Sequence, residues 1–169
     1  IKKYGNGYIV TGYTEKEILK KNGIYPDFLA FTDNKQAKID YIHRSTESDE
    51  IYFINNTDSV NVKAVLQFRA SGMEPQLWNP YTGDMQVLSV YRDEHGTTTL
   101  PLQLEAYQSV FIVFSKENPA KLHVVNVAYQ GENIFPIKFD NIQPVGYTIT
   151  NESDNRFHFT SDDDGTYQL

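Results

Sequence analysis

Cysteine is absent from the 169 residues. Its absence excludes disulfides, thiolate zinc sites and thiol nucleophiles, but leaves the compartment open, because many exported bacterial proteins also lack it. Long apolar runs are missing too. Stretches such as Val110-Phe111-Ile112-Val113-Phe114 last only a few residues, against the roughly 20 that a membrane-spanning helix needs, so no membrane span is expected. Basic residues are few, 15 Lys and Arg against 22 Asp and Glu for a formal charge of −7. Phosphate backbones are bound mainly by Lys and Arg that release counterions, so nucleic acid is not an expected partner. Neither an initiator Met nor a signal peptide opens the chain at Ile1, which leads us to expect a processed or excised piece of something longer. Nucleotide and serine-hydrolase signatures are also wanting. Gly5-Asn6-Gly7 lacks the third glycine, the preceding strand and the following helix of a phosphate loop, and no G-x-S-x-G elbow occurs.

What remains has the composition of a globular chain, 40% hydrophobic and 22% charged, with 12 Tyr and 10 Phe. A chain of ~150 residues buries about two thirds of its unfolded surface, enough for one core with or without a small lobe. Near the start, Tyr8-Ile9-Val10-Thr11-Gly12 reads as a short buried strand. Thr14-Glu15-Lys16-Glu17 matches the capping box that satisfies two orphan helix donors, so a helix is expected from Thr14. Asn22-Gly23 supplies its stop, with Pro26 just beyond. Ile18 and Leu19 give that helix too narrow an apolar face to stand alone, so it should pack on neighbours upstream of Ile1.

From about residue 38 onward no segment of 10 residues keeps a 3.6 period, whereas period-2 runs recur between turn signals. Residues 60–70 place Val62, Ala64, Leu66 and Phe68 on one face and Asn61, Lys63, Gln67 and Arg69 on the other. Residues 84–92 and 97–104 flank Asp93-Glu94-His95-Gly96 as a hairpin would. Residues 107–115 alternate less cleanly, as suits a strand covered on both sides. With 40–43, 51–55 and 76–78 these runs describe an antiparallel β-sandwich. Beyond Pro119 the texture changes: 122–129, 145–150 and 156–160 read as further strands, either a small lobe or additions to the first sheets. The expected organisation is therefore mainly β, with a short αβ segment at 1–36, an antiparallel β-sandwich at 37–117 and additional β strands or a small β lobe at 118–169.

Several chemistries can be weighed on the residues. His43, His95, His123 and His158 include no i, i+2 or i, i+4 pair from which a zinc site could start. Asp162-Asp163-Asp164-Gly165 lacks the spacing and distal Glu of a calcium loop. Neither a metal nor another cofactor is expected. Glycoside hydrolysis needs two carboxyls ~5 Å or ~6.5–9.5 Å apart, and sequence alone cannot choose among Asp49, Glu50, Glu74 and Glu105, each of which also reads as a solvated edge residue. A complete (β/α)₈ barrel is excluded, since even small ones need about 200 residues.

Three places are more specific. Tyr41-Ile42-His43-Arg44 ends a strand in two polar side chains at a loop mouth, where His43 or Arg44 either binds a ligand or ties down the loop 45–50 by hydrogen bonds. Leu77-Trp78-Asn79-Pro80-Tyr81-Thr82-Gly83-Asp84 joins the sole Trp to a Pro/Gly turn. Trp78 either anchors the core or, with Tyr81, offers a sugar an aromatic face. Asn55-Asn56-Thr57 and Asn151-Glu152-Ser153 fit a glycosylation sequon too short to distinguish from chance.

The succession Gly23-Ile24-Tyr25-Pro26-Asp27-Phe28, Ile39-Asp40-Tyr41-Ile42-His43-Arg44, Asp49-Glu50-Ile51-Tyr52-Phe53-Ile54-Asn55-Asn56, Phe68-Arg69, Leu77-Trp78-Asn79-Pro80-Tyr81-Thr82-Gly83 and Ser109-Val110-Phe111-Ile112-Val113-Phe114 resembles, in order and spacing, the region behind the catalytic barrel of α-L-rhamnosidase-type glycoside hydrolases, family 106. The resemblance covers residues 5 to 117, and residues 118–169 carry no recognised block. It implies that the acid and base carboxylates sit on a barrel upstream of Ile1, so that no catalytic residue is carried over to this chain. It implies an accessory sandwich whose partner is the catalytic barrel of the same polypeptide, or else a module that contacts oligosaccharide through His43, Arg44, Trp78 and Tyr81. A periplasmic or cell-surface location in a bacterium is implied with it.

Overall fold

The structure, a computed structural model, describes residues 1–34, 36–135, 147–153, 156–161 and 167–168, those from 147 onward as backbone alone. An N-terminal hairpin of β1 (Lys2–Tyr4) and β2 (Gly7–Ile9) is followed by helix α1 (Glu15–Lys21). Next come β3 (Phe28–Thr32), β4 (Ile39–Ser45), β5 (Asp49–Asn56), β6 (Val62–Phe68), β7 (Met73–Trp78), β8 (Met85–Val87), β9 (Arg92–Glu94), β10 (Thr97–Leu104) and β11 (Ser109–Pro119). They form two antiparallel sheets, a four-stranded one ordered β3-β6-β10-β9 and a five-stranded one ordered β4-β5-β11-β7-β8. The chain then makes β12 (Val127–Tyr129), β13 (Glu132–Phe135), β14 (Tyr147–Ser153), β15 (Arg156–Ser161) and β16 (Tyr167–Gln168). Of these, β13-β12-β16 is a three-stranded sheet and β14-β15 a hairpin.

Helix α1 starts where its caps dictate. The Thr14 hydroxyl accepts from the Glu17 N–H at 3.3 Å, and the Glu17 carboxylate accepts from the Thr14 N–H at 2.8 Å. It ends at Gly23, whose φ of 69° permits a Schellman closure: the Gly23 N–H donates to the Lys20 carbonyl and the Ile24 N–H to that of Leu19. The expected buried strand at 8–12 is not found. Residues 7–9 pair instead with 2–4 in a hairpin of exposed residues, and Gly5, at φ 55°, sits in its turn.

In the four-stranded sheet the inward face of β6 falls on alternate residues, as its sequence implies. Val62, Ala64, Leu66 and Phe68 point inward beside Leu100, Leu102 and Leu104 of β10, and meet Tyr52, Ile54, Val110, Ile112 and Phe114 of the other sheet. Phe68 is central, its ring 4.8 Å from that of Tyr52 and 5.3 Å from those of Phe28 and Phe114. Fully burying such side chains contributes ~1.5–3 kcal/mol each. Asn56, fully buried, is satisfied on every side: its amide NH₂ donates to the Val60 and Glu105 carbonyls at 2.8 Å each, its N–H to the Gln108 carbonyl, and its Oδ1 accepts from the Asp58 N–H. One side chain thus joins the β5–β6 and β10–β11 connections.

Two expectations are corrected. Residues 84–92 are not one strand but β8 and the start of β9, which belong to different sheets, so the chain crosses between layers around Ser89 to Tyr91. The β9–β10 connection is also tighter than expected, since Glu94 pairs with Thr97 and leaves only His95 (φ 53°) and Gly96 (φ 78°) in the turn. Two left-handed residues make a type I′ turn, whose twist suits a hairpin. The strand β3 was not anticipated. Among the described residues beyond Pro119, Val90, Val124, Val127 and Phe135 form a second small cluster, tied to the sandwich by a parallel bridge between Val90 and Val124. Of residues 122–129 only β12 is strand; the expected strands at 145–150 and 156–160 fall on β14 and β15, apart from residues 145 and 146, which lie outside the described residues, as does the acidic run 162–164.

Candidate functional site

Two surfaces carry the residues that the sequence singles out, on opposite sides of the five-stranded sheet. On β4, Ile39, Tyr41 and His43 share the inner side with Tyr52 and Ile54 of β5, while Asp40, Ile42 and Arg44 face outward. His43 and Arg44, adjacent in sequence, therefore serve different surfaces.

On the inner side, His43 stacks on the buried Tyr52 ring with centroids 3.9 Å apart and planes within 8°. Nδ1 lies 3.0 Å from both oxygens of Asp27, and Nε2 lies 2.8 Å from Glu50 Oε2. With a carboxylate at each nitrogen, the ring meets both as a donor when both nitrogens carry hydrogen. Asp27 also accepts from Arg69 at 3.1 Å, and Glu50 accepts from the Ser45 hydroxyl at 2.8 Å with Lys116 Nζ at 3.9 Å. Below them the Tyr52 hydroxyl is held well above the ordinary phenol pKa, first by burial and then by the Asp27 and Glu50 charges. The cluster ties the turn before β3 to the β4–β5 hairpin. Asp27, Tyr52, Arg69 and Lys116 were not picked out from the sequence as its members, because their positions are distant along the chain and meet only through strand pairing.

The other acids are engaged separately. Asp49 accepts from Ser48, and that bond, followed by one from Ser115, lowers its pKa. Glu74, nearly buried, lies 3.7 Å from Lys121 Nζ. Glu105 sits at the opposite end of the sandwich, where its backbone carbonyl receives Asn56. Among the described residues no group of three or more His, Asp or Glu side chains could hold a metal ion.

The outer side of the five-stranded sheet holds Trp78. Register places Ile42, Phe53, Phe111, Trp78 and Met85 in one row across all five strands, with Ile51, Val113 and Val87 in the next. Trp78 donates its indole N–H to Gln76 Oε1 at 3.1 Å on the same face. Its neighbour Leu77 packs on the inter-sheet core, so Trp78 is turned away from it. Tyr81, 82% exposed, stands in the β7–β8 turn, which Asn79 braces by accepting from the Tyr81 and Thr82 N–H groups. The structure thus puts Arg44, Trp78 and Tyr81 on the outer side or its rim and His43 apart from them. A shallow groove elsewhere, of about 360 Å³ and lined by Arg92, Asp93, Glu94, His123, Val125 and Asn126, runs beside the second cluster.

Comparison with known proteins adds context to this geometry. Residues 1–93 match the family model described as alpha-L-rhamnosidase, glycoside hydrolase family 106. A Formosa agariphila protein whose name places it among the beta-glucuronidases is 32% identical over 128 residues, 75% of this chain and 11% of that protein. The solved structure of a rhamnosidase from Novosphingobium sp. PP1Y is similar with a TM-score of 0.56 at 29% identity, over 68% of this chain and 11% of that one. The chain thus spans about a tenth of the length of the relatives it matches.

Proposed function

We propose, from the premise that this chain belongs to the α-L-rhamnosidase family of glycoside hydrolases, that it is a non-catalytic accessory β-sandwich supporting the catalytic barrel of a longer carbohydrate-degrading hydrolase. The observation that carries this reading is how the acids are spent. Asp27 and Glu50 grip opposite nitrogens of one imidazole, and Glu74 faces Lys121, so the least exposed of the paired carboxylates are each engaged by a side chain of this chain. A glycosidase keeps one carboxyl free to protonate the leaving oxygen and another free for water or the sugar. A periplasmic or cell-surface location fits the same reading. No helix among the described residues is long and apolar enough to cross a membrane.

A second reading has its own support. Trp78 lies outside the inter-sheet core, with exposed Tyr81 and Met85 beside it, and aromatic faces are what sugar rings stack on. In a carbohydrate-binding module, Trp78, Tyr81 and Arg44 would meet an oligosaccharide on the outer side and His43 would reach it only at the sheet edge. Calorimetric titration of the chain with rhamnose-containing oligosaccharides separates the two. A purely supporting sandwich gives no saturable heat. Saturable heat that Trp78→Ala abolishes in a folded protein makes it a binding module instead.

A further inference from the structure

Residues 1–26 form regular structure with almost nothing underneath it. Only Val10 and Ile18 among them are even half-buried, and α1 has no buried residue. Tyr4 is 73% exposed and Tyr8 67%, and Ile9, Tyr13, Leu19, Ile24 and Tyr25 are all exposed as well. A seven-residue helix is well below the ~12–15 residues at which isolated helices are even marginal, and a lone two-stranded hairpin is no better. Good caps do not change this, since a capping box contributes about 1 kcal/mol per satisfied donor. Such a segment holds its shape by lying on something.

We infer that residues 1–25 are the docking strap by which the sandwich seats against the catalytic region of the same longer polypeptide, on an apolar surface with acidic surroundings. This rests on the reading of the chain as an accessory sandwich. Three observations select that occupant. The family match runs without a break from residue 1 through the strap into the sandwich, so the two are matched as one unit. The relatives compared are about six to seven times as long, since three quarters of this chain matches 11% of one and two thirds of it matches 11% of the other; a surface on the same polypeptide is presented at millimolar effective concentration, which a second free copy does not reach. Charge also separates strap from sandwich. Residues 1–25 carry five lysines against Glu15 and Glu17, a charge of +3, while the other 10 basic and 20 acidic residues give −10. An apolar surface rimmed by lysines fits an apolar surface rimmed by acids. The four tyrosines alone offer on the order of 400 Å², about half of the ~800 Å² that one side of a specific interface presents.

Hydrogen exchange on this chain and on the native longer polypeptide tests the inference. Amides of β2 and α1 are expected to exchange at least ~100-fold more slowly in the longer polypeptide. Tyr8→Ser with Leu19→Ser should cancel most of that protection there and leave the melting of the 169-residue chain unchanged. Equal exchange in both contexts overturns the inference. So does a native protein no larger than 19.4 kDa, or a concentration-dependent dimer of this chain that protects the same amides, which would make a second copy the occupant. Failure of the accessory reading shows elsewhere, as hydrolysis of an aryl α-L-rhamnoside by this chain, which exchange does not report.

Discussion

With a carboxylate on each ring nitrogen, His43 separates two acids that would otherwise face each other across a half-buried gap. Removing the ring takes away its polar contacts to both carboxylates and the Tyr52 stack together. His43→Leu is therefore expected to cost ~2–3 kcal/mol in urea unfolding with an unchanged slope; a variant as stable as the parent would mean that water already competes the bonds away. Trp78 behaves differently because of where it points. Phe68→Ala, at the centre of four packed rings, should cost ~3–5 kcal/mol, and Trp78→Ala, outside that core, about 1 kcal/mol. Equal losses in thermal or urea melts would put Trp78 back among the structural residues. The sequence could not decide this. Leu77 and Trp78 are consecutive apolar residues on a strand, so one must face away from the core, and nothing in the pair says which.

At the scale of elements, the strap and the sandwich should respond independently. Thr14→Ala removes the hydroxyl half of the capping box and leaves the bond from the residue 14 N–H to the Glu17 carboxylate. Since α1 buries nothing, the variant is expected to lose helical Cα shifts at residues 15–21 while the urea midpoint stays put. The box also has a pH signature. Glu17 has its pKa lowered, first by the Thr14 backbone N–H and then by its hydroxyl. A carboxyl depressed in the folded state contributes its full stabilisation above its unfolded pKa of ~4.3 and loses it as pH falls through the lower folded value. Helical shifts at 15–21 should thus be flat near neutrality and decline below about pH 4, and in Thr14→Ala, which keeps the backbone N–H but loses the hydroxyl, that decline should shrink without vanishing. In the β9–β10 turn, Gly96→Ala meets no neighbour within 4 Å but must keep φ near 78°. Backbone strain alone should cost ~1–2 kcal/mol.

Across the whole molecule, what was legible tracks how locally each feature is encoded. The β6 face was readable because Val62, Ala64, Leu66 and Phe68 alternate with mostly polar residues, the buried Val65 being the exception on the other face. The helix start and stop were readable because caps are local chemistry. Strand β3 was not, since Phe28-Leu29-Ala30-Phe31-Thr32 is apolar on both faces and shows no period. The break between β8 and β9 was invisible for a related reason: Val87-Leu88-Ser89-Val90-Tyr91 reads as one apolar run, whereas the chain there leaves one sheet for the other. His43 could be marked as a residue at a loop mouth, but its partners Asp27 and Glu50 lie 16 positions before it and 7 after it, and only strand pairing converges them.

Assay of the purified 169-residue chain against an aryl α-L-rhamnoside addresses the accessory role most directly. If the chain is the supporting sandwich proposed above, release of the aryl alcohol should match buffer alone from mildly acidic to neutral pH. Saturable turnover that disappears in Glu50→Gln would contradict the account.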